Sequence, residues 1–220
     1  MTTYLITGTN RGIGLEYCKQ LKAKGETVIA VCREPNEELK NLGVQIETGI
    51  DVTSDESVEK LAKRLQGTTI DVLINNAGII EANSLEDLDF DSLERQFQVN
   101  AIAPLRVTKA LLPLIPRGGK VVLMTSRMGS IEDNTSGGFY GYRMSKTALS
   151  MAGKSLAEDL KSRGIAVGIL HPGMVKTRMT GFSGITTTES VQGLLDRIAE
   201  LNLDNSGTFW HGTKAEVLPW

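Results

Sequence analysis

The sequence predicts a doubly wound α/β domain, a parallel sheet of about seven strands covered by helices on both faces. Three features predict it. Short β-branched apolar runs recur along the chain, and few of them alternate with polar residues. Helical patterns separate successive runs, as parallel crossovers demand. A glycine-rich turn joins the first run to the first helical pattern. Runs apolar on both faces need cover on both faces, which excludes a one-sided antiparallel sheet.

The first strand is expected at Tyr4–Thr7 and the first helix at Ile13–Lys24, closed by Gly25. Further strands are expected at Val28–Cys32, Val44–Glu47, Val72–Asn75, Lys120–Thr125 and Ala166–Leu170. A helix follows Thr53, where Thr-x-x-Glu to Glu56 reads as a capping box and Val58, Leu61, Ala62 and Leu65 form the buried stripe. A long helix runs from about Asp91 to Ile115 with Pro104 inside it. Another spans about Tyr142–Ser162, with Leu149, Ala152, Leu156 and Leu160 on one face, and a last one lies near Glu189–Leu201. No repeat, low-complexity tract or linker divides the chain, so residues 1–220 are expected to form a single domain.

With 220 residues there is enough chain for a sizeable core, and 40% hydrophobic with 23% charged residues is ordinary globular composition. A net charge of −2 offers no footprint for nucleic acid, and the longest apolar run, Val28–Cys32, is far too short to span a membrane. The N-terminus shows no secretory pattern, so a cytoplasmic location is expected. Cys18 and Cys32 read as small core residues, and no cluster suggests a metal.

Thr7-Gly8-Thr9-Asn10-Arg11-Gly12-Ile13-Gly14 follows the first strand and opens the first helix. Glycine permits a tight turn and close backbone approach to a pyrophosphate, and the helix N-terminus presents free N–H groups and a favourable dipole. The spacing is Gly-x-x-x-Gly-x-Gly, distinct from the commoner Gly-x-Gly-x-x-Gly. Tyr142 and Lys146 stand one helical turn apart, whereas the i+4 partner of Tyr140 is Met144. A tyrosine that is to give a proton to a developing alkoxide needs help, because a free phenol titrates too high for that task. Bringing it from about 10 toward 7 takes roughly 4 kcal/mol, about what one positive charge at ~4 Å supplies, so Lys146 is expected to lower the Tyr142 phenol. Ser126 follows the fifth strand at the carboxyl edge, where its hydroxyl can polarise a carbonyl. No Gly-x-Ser-x-Gly surrounds it, which excludes the hydrolase reading. Pro104 deprives the Asn100 carbonyl of its helical partner, so a kink is expected there.

Taken in order, these motifs resemble the short-chain dehydrogenase/reductase family, a single-domain Rossmann fold, over Thr7 to Thr177. The resemblance implies that Ser126, Tyr142 and Lys146 are catalytic and that Asn100 continues a proton relay through a water. It implies a cofactor-binding set of Gly8, Asn10, Arg11, Gly12, Ile13, Gly14, Arg33, Asp51, Val52, Asn75, Ala77, Gly78, Tyr142, Lys146, Pro172, Gly173, Val175 and Thr177. Arg33 stands where an acidic residue would accept the ribose 2′-hydroxyl of NAD, and with Arg11 it favours NADP over NAD. His171, without partners for a metal, reads as packed or hydrogen-bonded.

Arg143, Ser145 and the tail Gly207–Trp220 resemble a short subgroup that holds the C-factor signalling protein and the sniffer-type carbonyl reductases. That tail fits either a last strand with apolar residues closing the core or a subunit contact. The substrate loop, about residues 178–188, is short, and its glycines suggest a mobile lid. An NADPH-dependent reductase of a small-molecule ketone or aldehyde is the expected function. A nucleotide-binding signalling protein and a 3-oxoacyl-carrier-protein reductase are the alternatives, and the intact Ser126, Tyr142, Lys146 and Asn100 set favours an enzyme. The resemblance further implies a homodimer or homotetramer paired through the helices of Asn100 and Tyr142.

Overall fold

The computed structural model describes residues 1–220. The chain runs β1 (Thr3–Thr7), α1 (Gly12–Ala23), β2 (Thr27–Val31), α2 (Glu37–Asn41), β3 (Gln45–Glu47), α3 (Asp55–Arg64), β4 (Val72–Asn75) and α4 (Phe90–Phe97). It continues through α5 (Ala103–Leu111), β5 (Lys120–Met124), α6 (Tyr140–Lys161), β6 (Ala166–His171), α7 (Thr187–Glu200) and β7 (Phe209–His211). The seven strands form one sheet in the order β3-β2-β1-β4-β5-β6-β7, every pair parallel. The order reverses direction between β1 and β4, which opens a crevice at their carboxyl ends.

Alternate strand residues feed two separate cores, which is why the strands read as unbroken apolar runs. Ile6, Ile74, Val122 and Met124 pack under α1 and α7 with Leu15, Leu21 and Leu194. Leu5, Leu73, Val121 and Leu123 pack on the opposite face against Leu61, Leu111, Leu149 and Leu160. Each such fully buried side chain contributes ~2 kcal/mol before entropy is counted. Both cysteines lie in the first of these cores, where burial pushes the Cys18 thiol up to about 12.

Four local details differ from the sequence expectation. The short helix α2 was not foreseen; Asn36 caps it by accepting from Leu39 N–H at 2.9 Å, and Leu39 is fully buried. Helix α3 is capped by Ser54, which accepts from Ser57 N–H at 3.2 Å, because Thr53 is engaged by Asp51 Oδ1 through its N–H (2.9 Å) and hydroxyl (2.7 Å). The helix expected over Asp91–Ile115 is two helices joined by a π-turn at Gln98–Ile102, where Ala103 N–H donates to the Gln98 carbonyl. The widened ladder just before α5 accommodates Pro104, which stands in the first turn of that helix. Helix α6 begins at Tyr140, one half-turn earlier than expected. In the tail, β7 pairs with β6, and Leu218 is buried with Ile169 and Phe209, so it supplies a last strand and closes the core.

Candidate active site

The glycine turn leaves β1 at the crevice. Gly8 has φ +72°, and a Cβ there would stand 2.9 Å from Ala77 Cα, so the turn lies directly against the Asn75–Gly78 segment. Gly14 is needed for space: a Cβ would meet the Gly8 carbonyl oxygen at 2.2 Å. Asn76 Nδ2 locks this contact by donating to the Thr7 carbonyl at 2.9 Å, while Thr7 Oγ1 accepts from Asn76 and Ala77 N–H at 3.0 and 3.1 Å. Asn75, placed by the sequence with the cofactor-binding residues, turns its buried amide to Thr108 Oγ1 at 3.1 Å. The amide that reaches the glycine turn is that of its neighbour, Asn76.

Opposite the turn, a Cβ on Gly12 would come within 3.3 Å of Thr177 Cγ2, so the Pro172–Thr177 segment forms the facing wall. Ser190 donates to the Pro172 carbonyl at 2.8 Å, and Val175 is buried. The loop expected at 178–188 ends at Thr186, the cap of α7. It is tied back to that wall: Lys176 N–H donates to Ile185 O and Ile185 N–H to Met174 O, both at 2.8 Å. Phe182, Met174 and Met179 are exposed around it.

At the end of β2, Arg33 is exposed, as is Arg11 at the head of α1. Neither guanidinium is ion-paired. Asp51 lies between β3 and α3 with Val52 beside it. Its carboxyl is held below the usual carboxylate range by the Thr53 hydrogen bonds, with Arg33 adding to the effect.

Ser126, Tyr142, Lys146 and Asn100 come together at the carboxyl end of β5, all buried. Ser126 lies just beyond β5, and its Oγ accepts from Met128 N–H at 3.1 Å, capping a single turn at Arg127–Gly129. Lys146 Nζ donates to the Met124 carbonyl at 2.8 Å and stands 5.8 Å from the centre of the Tyr142 ring. Burial lowers its ammonium to about 8. A Cβ on Gly78 would lie 3.2 Å from Asn100 Oδ1 and 3.6 Å from Lys146 Nζ, so a side chain at this position would crowd both groups.

The expectation that Lys146 brings the Tyr142 phenol down toward 7 is not met in this arrangement. Burial raises the phenol above its ordinary value, and the Ser126 hydroxyl is the group that opposes the rise. The Lys146 ammonium donates instead to a main-chain carbonyl, and burial lowers its own value from the ordinary 10.5.

Sequence reasoning gave Ser145 no role at the site. It is fully buried, donates to the Tyr142 carbonyl at 2.8 Å and accepts from Asn100 Nδ2 at 3.1 Å, tying the two helices together. Its place one residue before Lys146 was the available signal. His171 packs edge-on against His211 at 4.9 Å, and burial holds it neutral with a value near 3. That placement fits the packed reading.

A switch-point crevice lined by a glycine turn, with a tyrosine and a lysine on one helix beside a strand-end serine, is an oxidoreductase architecture for dinucleotide chemistry. The chain belongs to the short-chain dehydrogenase/reductase family: the model for short chain dehydrogenases matches residues 2–187. It is 42% identical to 1-hydroxy-2-glutathionyl-2-methyl-3-butene dehydrogenase of Rhodococcus sp. (strain AD45), with 100% of both chains covered. It is 46% identical over 155 residues to the C-signal of Myxococcus xanthus, covering 69% of this chain and 93% of that protein. Among solved structures, the NADPH-bound carbonyl reductase from chicken fatty liver superposes with a TM-score of 0.91 at 31% identity, covering 100% of this chain and 99% of that one.

Proposed function

We propose that this oxidoreductase is an NADPH-dependent carbonyl reductase that converts a small ketone or aldehyde to an alcohol. The convergence of Ser126, Tyr142, Lys146 and Asn100 at one strand end carries the reading, because nucleotide binding alone needs no such proton-transfer set. Relatives named as a dehydrogenase of a hydroxylated compound and as a carbonyl reductase bound to NADPH support it.

The residues present fit the cofactor. A Cβ on Gly12 would close on Thr177, so the bare glycine preserves the cleft between the two walls. The exposed, unpaired guanidiniums of Arg11 and Arg33 suit a 2′-phosphate better than the hydroxyl of NAD. Asp51 and Val52 would flank the adenine, and Pro172, Gly173, Val175 and Thr177 the nicotinamide end. NADPH, when bound, supplies the hydride.

Tyr142 donates its phenolic proton to the carbonyl oxygen as that oxygen gains charge. The raised phenol keeps this proton in place at neutral pH. Ser126 donates a hydrogen bond to the same oxygen and orients it. Lys146, still mostly protonated at pH 7 with a value near 8, restores the proton from the Asn100 side of the site. Phe182, Met174 and Met179 offer apolar contacts for the substrate. Self-association falls on the helices of Asn100 and Tyr142, where Ile102, Leu105, Met144 and Met151 are exposed.

The test follows NADPH and NADH absorbance over a panel of aliphatic, aromatic and diketone substrates, with Tyr142→Phe beside the wild type. NADPH-dependent turnover that falls by roughly 10³-fold or more in Tyr142→Phe, with NADPH binding intact, is the expected result. Tight NADPH binding without turnover on any carbonyl would favour the nucleotide-binding signalling reading.

A further inference from the structure

Between β4 and α4, residues 76–83 form no regular element and lie outside the sheet without a strand partner, beside α4 and α6. Two buried side-chain amides take the place of one. Asn100 accepts from Ile79 N–H and donates to Ile79 O, both at 2.9 Å. One helical turn earlier, Gln96 accepts from Glu81 N–H at 3.1 Å and donates to Glu81 O at 3.3 Å. Residues two apart on an extended chain share an edge with a rise of ~6.7 Å, close to the ~6 Å between helix positions i and i+4, so the two amides match the two residues.

The same edge continues to Asn83. Its carbonyl accepts from Phe139 N–H at 2.8 Å, and its Oδ1 accepts from Gly141 N–H at 3.4 Å. Phe139 holds the left-handed conformation, φ +50°, directly before α6. For a bulky residue that conformation is strained and persists only where surrounding contacts enforce it. Gln96 also touches α6 itself: a Cβ on Gly141 would meet Gln96 Nε2 at 2.5 Å. The next residue is Tyr142. Gln96 is fully buried and makes no contact with the cleft residues of the cofactor wall among its hydrogen bonds.

We infer that Gln96 is a positioning residue for Tyr142, clamping the strap of residues 79–83 and seating the first turn of α6 so that the phenol faces Ser126. The kinetic consequence rests on the carbonyl-reductase reading; the placement of the phenol does not. Gln96→Met removes the hydrogen bonds at nearly constant length, and Gly141→Ala leaves the amide chemistry intact while displacing it.

Both variants are expected to lower kcat by about 10- to 100-fold, with the NADPH dissociation constant, read by fluorescence, within about twofold of wild type. Ultraviolet titration, taken as the difference from the same protein carrying Tyr142→Phe, is expected to move the Tyr142 phenol toward its ordinary 10. If Gln96→Met does not fold, Gly141→Ala decides. Wild-type kcat with an unmoved phenol in Gly141→Ala overturns the inference. So does an equal loss of NADPH affinity and kcat with an unmoved phenol, the signature of a structural role. A moved phenol in a protein that turns over no carbonyl supports the positioning and refutes the reductase reading.

Discussion

Replacing Lys146 with methionine should abolish turnover and stabilise the fold. Desolvation lowers the ammonium from its ordinary 10.5 to about 8, and at ~1.4 kcal/mol per pH unit the folded chain holds that charge at an expense of about 3 kcal/mol at pH 7. Methionine has similar length and no charge to desolvate, but it forfeits the 2.8 Å bond to the Met124 carbonyl. A hydrogen bond to a charged donor contributes roughly 1.5–3 kcal/mol, so the net gain is about 0–1.5 kcal/mol. For a chain of this size that raises Tm by up to about 6 °C at pH 7.

The pH dependence gives a second handle. Between the folded value near 8 and the unfolded value of 10.5, the unfolded chain binds a proton that the folded chain has released. Wild-type stability therefore gains from this group as pH rises through that window, and the methionine variant has no such gain. Thermal unfolding followed by circular dichroism at pH 7 and pH 10 measures both effects. The advantage of Lys146→Met should shrink as pH rises. A gap between the two proteins that is the same at both pH values would refute the reasoning that burial strains this lysine.

Other substitutions address separate parts of the site. Arg33→Ala and Arg11→Ala should each weaken NADPH binding by about tenfold, a charge-assisted bond to phosphate, and leave NADH binding nearly unchanged; equal losses for both nucleotides would remove the 2′-phosphate assignment. Ser126→Ala should lower kcat by roughly 10²-fold and, because Ser126 also caps the turn at Arg127–Gly129, lower stability by about 1 kcal/mol in urea unfolding. Stability loss with unchanged kcat would leave the serine as a cap alone.

The architecture and the membership of the site were legible along the chain because they depend on local rules. Continuous apolar strands declare a sheet covered on both faces, glycines at a βα turn declare close approach, and the four-residue step from Tyr142 to Lys146 puts both on one helix face. What those rules do not contain is competition among distant groups. Thr53 was free to cap α3 on paper, but Asp51 engages it, and the cap passes to Ser54. Asn75 and Asn76 look equivalent side by side, yet strand alternation sends one amide into the core toward Thr108 and the other to the glycine turn. Spacing alone also set Lys146 to lower the Tyr142 phenol. In the folded chain both groups are buried, desolvation acts on each, and the ammonium binds the Met124 carbonyl at the end of β5. Sequence by itself determined which residues meet at the crevice. Tertiary structure decided how each is solvated and to which partner its hydrogen bonds go, because burial and long-range pairing exist only once the sheet and its helices have packed.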